Sequence, residues 1–218
     1  MTLQQGLLTG LYVLTDAALL PESRLVEGVA AALRGGARLV QYRDKTSDTA
    51  RRRREADALL SLCREHAVPF IVNDDVELAY AIGADGVHLG RDDTALAQAR
   101  VRLGPHAVIG VSCYDSLPRA IAAAHEGADY VAFGSFFASP SKPDAVPAPL
   151  QLLTAARHEL GIPLCAIGGI RPENAGRLLS AGADMLAVIS GVFAESDIQS
   201  AARDYARLFR QTGEQRDG

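Results

Sequence analysis

In the stretch Arg38–Lys45, RLVQYRDK, residues Gln41, Arg43 and Lys45 alternate by two. On an extended chain that period puts their side chains on one face. Two cations and an amide on one face call for an anion. A guanidinium forks onto phosphate oxygens, and an ammonium supplies a point charge. The alternating Val40 and Tyr42 have the apolar character of a face covered by helices. The competing reading is a solvated strand end, with the cations paired to Asp44 or Asp48.

Acids gather downstream. Asn73-Asp74-Asp75 closes one apolar run, and Arg91-Asp92-Asp93 follows the next. If those runs are neighbouring parallel strands, about 4.8 Å apart, Asp74 and Asp93 can share one hard cation. Mg2+ takes one or two carboxylates and fills its remaining positions with waters and substrate phosphates. Acids at such positions also cap helices, which Asp75 or Asp92 could do alone. The segment Gly134–Asp144, GSFFASPSKPD, is a long loop of small and polar residues with one cation, Lys142, beside Ser139 and Ser141. A long loop in a compact domain is either a functional lid or a surface excursion. Gly168-Gly169 and Ser190-Gly191 follow two further apolar runs and suit an anion held by backbone N–H groups. Ser112 ends another run. His88 is either a general acid or base, or a core histidine paired to a neighbour.

The elements that carry these residues alternate. Eight short apolar runs recur: Leu11–Asp16, Arg38–Lys45, Pro69–Asp74, Gly86–Gly90, Val108–Cys113, Tyr130–Ser135, Pro163–Ile170 and Met185–Gly191. Each is bounded by Gly, Pro, Asp or Ser, and their near-continuous apolarity fits parallel strands covered on both faces. Between them lie helical segments such as 49–66, 116–126 and 172–181, with Pro118 and Pro172 in first turns. A repeated phrase ends helices and opens strands: GGARLV at Gly35, GADGV at Gly83, GADYV at Gly127 and GADML at Gly182. Each supplies a glycine for a left-handed helix stop. Eight units in 218 residues predict one (β/α)8 barrel over residues 1–218, with a polar tail at 211–218 that frays. An open doubly wound sheet is disfavoured, because no GxGxxG follows the first strand. In a barrel, all the polar residues above lie at the C-terminal ends of strands, where barrel active sites form.

Composition excludes several classes. Lys plus Arg number 22 against 26 Asp plus Glu, a net charge of −4, unlike a dedicated nucleic-acid binder. The run Arg51–Arg54 has no interleaved aromatics and reads as the exposed face of a helix. No apolar run is long enough to span a membrane, and no basic segment precedes an apolar one at the N-terminus. Cys63, Cys113 and Cys165 are sparse and odd in number, which predicts reduced, buried thiols and a cytoplasmic protein. Apolar helix faces leave room for a homo-oligomer.

With these residues in view, the chain resembles the thiamine phosphate synthase family from end to end. The motifs that carry the likeness are YVLTD, QYRDK at 41–45, NDDVELA at 73–79, GADGVHLGRDD at 83–93, GVSC at 110–113, GADYVAFGSFFASPSKPDA at 127–145, AIGGI at 166–170 and GADMLAVISG at 182–191. The resemblance implies a transferase that joins a hydroxymethylpyrimidine diphosphate to a thiazole phosphate and releases pyrophosphate. It implies that Gln41, Arg43, Lys45, Asn73 and Lys142 hold the pyrimidine diphosphate, with Ser112 beside it. Asp74 and Asp93 would bind Mg2+. Ser139, Ser141, Gly169, Ile189 and Ser190 would hold the thiazole phosphate. The family usually reads Gly-Pro and then Pro-Thr-x-Thr-Lys after the sixth strand. Here Ser135 follows Gly134, and Ala138-Ser-Pro-Ser-Lys142 replaces the rest. Serine keeps the hydroxyls but lacks the β-branch that stiffens them, so thiazole phosphate binding rests on altered donors.

The implied chemistry matches the residues. Loss of diphosphate from an electron-rich pyrimidine methylene leaves a stabilised carbocation. Arg43, Lys45, Lys142 and Mg2+ can neutralise charge growing on the leaving group, and no nucleophilic Ser or Cys is required. Two rivals remain. A thiazole tautomerase of the same superfamily needs a base and no diphosphate clamp. A non-catalytic sensor would bind thiamine or thiazole phosphates without turnover.

Overall fold

The computed structural model describes residues 8–90, 94–138 and 148–216, with side chains through Arg210. Its strands are β1 (Gly10–Leu14), β2 (Ala37–Tyr42), β3 (Phe70–Asn73), β4 (Gly86–Leu89), β5 (Val108–Tyr114), β6 (Tyr130–Phe133), β7 (Leu164–Ile167) and β8 (Met185–Val188). They are parallel, neighbour one another in chain order and close into a barrel where β1 pairs with β8. The helices are α1 (Glu22–Gly35), α2 (Thr49–Glu65), α3 (Val76–Ile82), α4 (Leu96–Leu103), α5 (Leu117–His125), α6 (Gln151–Glu159), α7 (Pro172–Ser180), the short α8 (Ser190–Phe193) and α9 (Ile198–Arg216). The (β/α)8 barrel expected from the alternating runs is therefore the observed architecture. None of the described helices is long and apolar enough to cross a membrane.

Strand parity sorts the core into two layers. In β1, Leu11 and Val13 pack against helices, whereas Tyr12 and Leu14 face the barrel interior. In β2, Val40 and Tyr42 belong to the helix-facing layer, as their alternation with Gln41 predicts. The interior layer is small and includes Leu8, Leu39, Ile71, Val108, Cys165 and Met185. The three cysteines are buried and free. Burial pushes the Cys63 and Cys113 thiols up to about 12, so neither is a nucleophile at neutral pH.

The repeated glycine phrase is a structural unit. Gly36, Gly83, Gly127 and Gly182 all have positive φ. The first of these differs from the expected Gly35, which lies in the last turn of α1. A Cβ on Gly35 would come within 2.5 Å of the Gln199 carbonyl oxygen, so close packing of α1 on α9 requires that glycine, and the left-handed stop falls one residue later. In the other three copies the phrase continues Gly-Ala-Asp, and the aspartate works as a latch. Asp85, Asp129 and Asp184 accept from the N–H groups of Phe70, Ile109 and Leu164 at 2.8, 2.7 and 2.8 Å. Each therefore ties the start of one strand to the start of the next. An arginine from the preceding helix locks each glycine carbonyl: Arg64 on Gly83, Arg100 on Gly127 and Arg157 on Gly182. Arg38 stands where the aspartate would be in the first copy, and a Cβ on the facing Gly10 would lie 2.7 Å from its Cγ.

The proline readings fit the observed helix starts. Pro118 and Pro172 occupy first turns, and Ser116 caps α5 by accepting from the Arg119 N–H. The polar stretch expected to fray begins inside α9, which continues to Arg216.

The latches lie at the N-terminal ends of strands, the end of a barrel associated with stability. Replacing Asp129 by Ala leaves the Ile109 N–H and the Arg100 guanidinium without this carboxylate. The expected loss is about 1–3 kcal/mol of unfolding free energy, read from urea denaturation, with kcat unchanged.

Candidate active site

The C-terminal ends of the strands bring together most of the sequence-identified residues. Gln41 is interior and 1% exposed. Arg43 and Lys45, however, lie beyond β2, which ends at Tyr42, so the expected strand through Lys45 is too long. The reason is local. Thr15 Oγ1 accepts from the Arg43 N–H at 2.8 Å and lies 3.3 Å from the Arg43 carbonyl oxygen, taking over both ladder groups. Asp44 then turns the chain by accepting from the Thr46 N–H at 2.7 Å. Arg43 and Lys45 are thus loop residues rather than interior strand residues.

Neither cation takes the acids of the competing reading. Arg43 lies 3.8 Å from Asp16, and Lys45 Nζ lies 3.6 Å from Asp74 Oδ2. Asp44 instead meets Arg51, and Asp48 caps α2 through the Arg51 N–H. The loop is braced from below. Tyr42 donates to the buried Glu55 at 2.6 Å, and Arg51 Nε lies 3.3 Å from Glu55. Burial opposes ionisation of Asp44, but the Thr46 N–H and the Arg51 guanidinium outweigh it and hold the carboxyl below its usual value.

The arginine run reads differently in three dimensions. Arg51 and Arg52 are structural braces, while Arg53 and Arg54 pair with Asp57 and Glu22 on the surface. Arg52 reaches Asp75 at 2.8 Å and links α2 to the loop after β3. Asp75 is the helix cap, accepting from the Leu78 N–H at 2.8 Å, which leaves Asp74 outside that role. Asp74 has φ +63, an unusual conformation for aspartate of the kind found at ligand-binding positions. Asn73 ends β3 in register with His88.

Across the barrel, His88 and Ser112 face each other, with His88 Nε2 2.8 Å from Ser112 Oγ. His88 is 8% exposed, and its Nδ1 lies 2.9 Å from the Tyr130 hydroxyl. The paired core histidine is therefore the geometry seen. Arg119 of α5 donates to the Ser112 and Gly90 carbonyls and steadies the ends of β5 and β4. The sequence alone gives Tyr12, Tyr130, Glu55 and Arg119 no role, and it places Arg51 and Arg52 on an exposed face, whereas they pair with Asp44 and Asp75. A tyrosine on the inward parity of a strand is a usable sign for the first two.

On the far side of the mouth, Gly168 and Gly169 have φ +104 and +60. A Cβ on either would collide with the segment after β6, with Ser135 at one and the Ala138 carbonyl at the other. Glycine there lets two mouth segments touch. Asn174 Nδ2 donates to the Gly169 carbonyl at 3.1 Å. Ile189 precedes α8, and Ser190 begins it. Asp93, Ser139, Ser141 and Lys142 lie outside the described residues.

The described mouth thus carries two cations, two carboxylates, two amides and the Ser112 hydroxyl over one interior, with paired glycines opposite. It can bind a polyanion on one side and a second anion on the other. Among the described residues, no three His, Cys, Asp or Glu side chains gather as a metal centre.

Residues 11–192 match the family described as thiamine monophosphate synthase. The chain is 56% identical over 200 residues to thiamine-phosphate synthase of Chromobacterium violaceum, covering 92% of this chain and 96% of that one. It is 52% identical over 211 residues to the enzyme of the same name from Acidithiobacillus ferrooxidans, covering 95% and 97%. Among solved structures, the thiamine phosphate pyrophosphorylase of Pyrococcus furiosus superposes with a TM-score of 0.86 at 37% identity, covering 95% of this chain and 98% of that one.

The brace on the loop after β2 makes a pH-dependent prediction. A carboxyl depressed by folding stabilises the fold above its unfolded pKa of about 4, and that contribution is lost as pH falls through the folded value. Asp44→Asn should therefore flatten the fall in Tm below pH ~4.

Proposed function

The chain belongs to the thiamine monophosphate synthase family, and from that membership we propose how its barrel mouth makes thiamine phosphate. The protein is an enzyme, a transferase of thiamine biosynthesis. Its substrates are 4-amino-2-methyl-5-hydroxymethylpyrimidine diphosphate and 4-methyl-5-(2-phosphooxyethyl)thiazole. The C–O bond to the diphosphate breaks, the thiazole nitrogen bonds to the freed methylene carbon, and pyrophosphate leaves.

The observation that supports this reading is a mouth in which Lys45 lies 3.6 Å from Asp74 and Arg43 lies 3.8 Å from Asp16, on the loops after β2, β3 and β1, next to the buried Gln41. Gln41 and Ser112 hold the pyrimidine ring. Arg43, Lys45, Asn73 and Lys142 hold the diphosphate and take up the charge that grows on it as the bond breaks. Gly169, Ile189 and Ser190, with Ser139 and Ser141 from the loop after β6, hold the thiazole phosphate. That arrangement keeps the nucleophilic nitrogen near the methylene carbon.

The mouth fits a magnesium ion. Asp74 offers hard oxygen donors, and a cationic group, Lys45 Nζ, already lies 3.6 Å from one of them. Asp74 and Asp93 would hold the ion, whose other positions go to waters and phosphate oxygens. When bound, the ion adds electrostatic stabilisation to the leaving diphosphate. Three buried free cysteines support a cytoplasmic setting.

Incubating the protein with both substrates and Mg2+ should yield thiamine phosphate and pyrophosphate in equal amounts. Isomerisation of the thiazole phosphate without coupling would point to a tautomerase instead, and ligand-induced thermal stabilisation without product to a sensor. Lys142→Ala should lower kcat by about a hundredfold or more with little change in Tm. Asp74→Ala should raise the Mg2+ concentration needed for half-maximal rate, and an unchanged metal dependence would remove Asp74 as a ligand.

A further inference from the structure

A chain of hydrogen bonds crosses the barrel interior beneath the mouth. Gln41 Nε2 donates to Tyr12 Oη at 2.6 Å, and the Tyr12 and Tyr130 hydroxyls lie 2.9 Å apart. Tyr130 Oη is 2.9 Å from His88 Nδ1, and His88 Nε2 is 2.8 Å from Ser112 Oγ. The members come from β2, β1, β6, β4 and β5. Their rings also pack: His88 stacks on Tyr130, and Tyr12 meets Tyr130 edge-on. Burial pushes both tyrosine hydroxyls upward, so both stay neutral.

Each link holds a single proton, so the donors must run one way along the chain. The Gln41 amide gives a hydrogen to Tyr12. Tyr12 gives its own to Tyr130, and Tyr130 gives its own to His88 Nδ1. An imidazole that accepts on Nδ1 carries its proton on Nε2 and gives it to Ser112. Ser112 keeps its O–H for an acceptor outside the chain. At the other end, Gln41 Oε1 is buried and has no hydrogen-bond partner among the described residues, which leaves an acceptor waiting for a donor. Reversing the chain would reverse both ends together. Gln41 would then present its NH2 group, and Ser112 only lone pairs.

We propose that Tyr12, Tyr130 and His88 are positioning residues that lock this polarity and so select an aminopyrimidine over its oxo counterpart. The proposal rests on the reading that Gln41 and Ser112 hold the pyrimidine. An exocyclic amino N–H satisfies Gln41 Oε1, and a ring-nitrogen lone pair accepts from Ser112. A 4-oxo isostere sets a carbonyl oxygen against Oε1 and replaces a neighbouring ring lone pair with an N–H. To accept it, the whole chain must turn over or leave buried groups unpaired, the situation in which sites discriminate most strongly.

The test is the ratio of kcat/KM for the amino and 4-oxo pyrimidine diphosphates, measured at saturating thiazole phosphate. Wild type should favour the amino substrate by about a hundredfold or more. Tyr12→Phe and Tyr130→Phe should each lower that ratio roughly tenfold, and the double variant no further, because a chain cut once is already cut. A purely structural role would slow both substrates alike, so an unchanged ratio in the single variants overturns the proposal. Wild type that accepts both substrates equally overturns it without any variant, which covers failure of the variants to fold. If wild type forms no product from the amino substrate, the synthase reading fails instead, and calorimetric binding of the two diphosphates to the same proteins then reads the same ratio.

Discussion

The interior of a closed eight-stranded barrel is a packed core, and a polar group placed there costs free energy unless it finds a partner. That constraint organises the centre of this protein. Gln41, Tyr12, Tyr130, His88 and Ser112 come from five different strands, yet they form one connected set. None could be kept in isolation without a buried donor or acceptor going unpaired. Gln41 Oε1 has no hydrogen-bond partner among the described residues, and it lies under the charged mouth, where a substrate can complete it. Interior packing and the proposed recognition of the pyrimidine are therefore one problem.

The two ends of the barrel divide the remaining work. At the N-terminal end, three aspartates and three arginines tie strand starts to helix ends. At the C-terminal end, the ion pairs are looser: Arg43 to Asp16 and Lys45 to Asp74 both exceed 3.5 Å. The tight pairs there belong to residues behind the mouth, such as Arg52 to Asp75. Rigid braces hold the loops while the mouth cations remain open to exchange partners with an anion.

Much of this could be read from the residues in order. Short apolar runs, glycine stops and the proximity of Gln41, Arg43 and Asp74 to strand ends all follow from local rules. What escaped reading is non-local. Tyr12 and Tyr130 stand 118 positions apart, and each sits in an apolar run where an aromatic residue reads as core. Arg51 and Arg52 resembled a solvated face because their acceptors, Asp44 and Asp75, follow from how the loops fold. β2 is shorter than its alternating residues suggest because a side chain, Thr15, replaces its backbone partner.

The seam between β8 and β1 has a consequence for synthesis of the chain. Gly10 donates its N–H to the Asp184 carbonyl, and Thr9 Oγ1 reaches the same oxygen. The first strand therefore waits for the 175 positions that separate Thr9 from Asp184 before its outer edge is covered. At ribosomal speeds of ~5–20 residues per second, that delay is on the order of ten to forty seconds. During that interval the edge of β1 that will meet β8 stays unpaired and open to association with another strand.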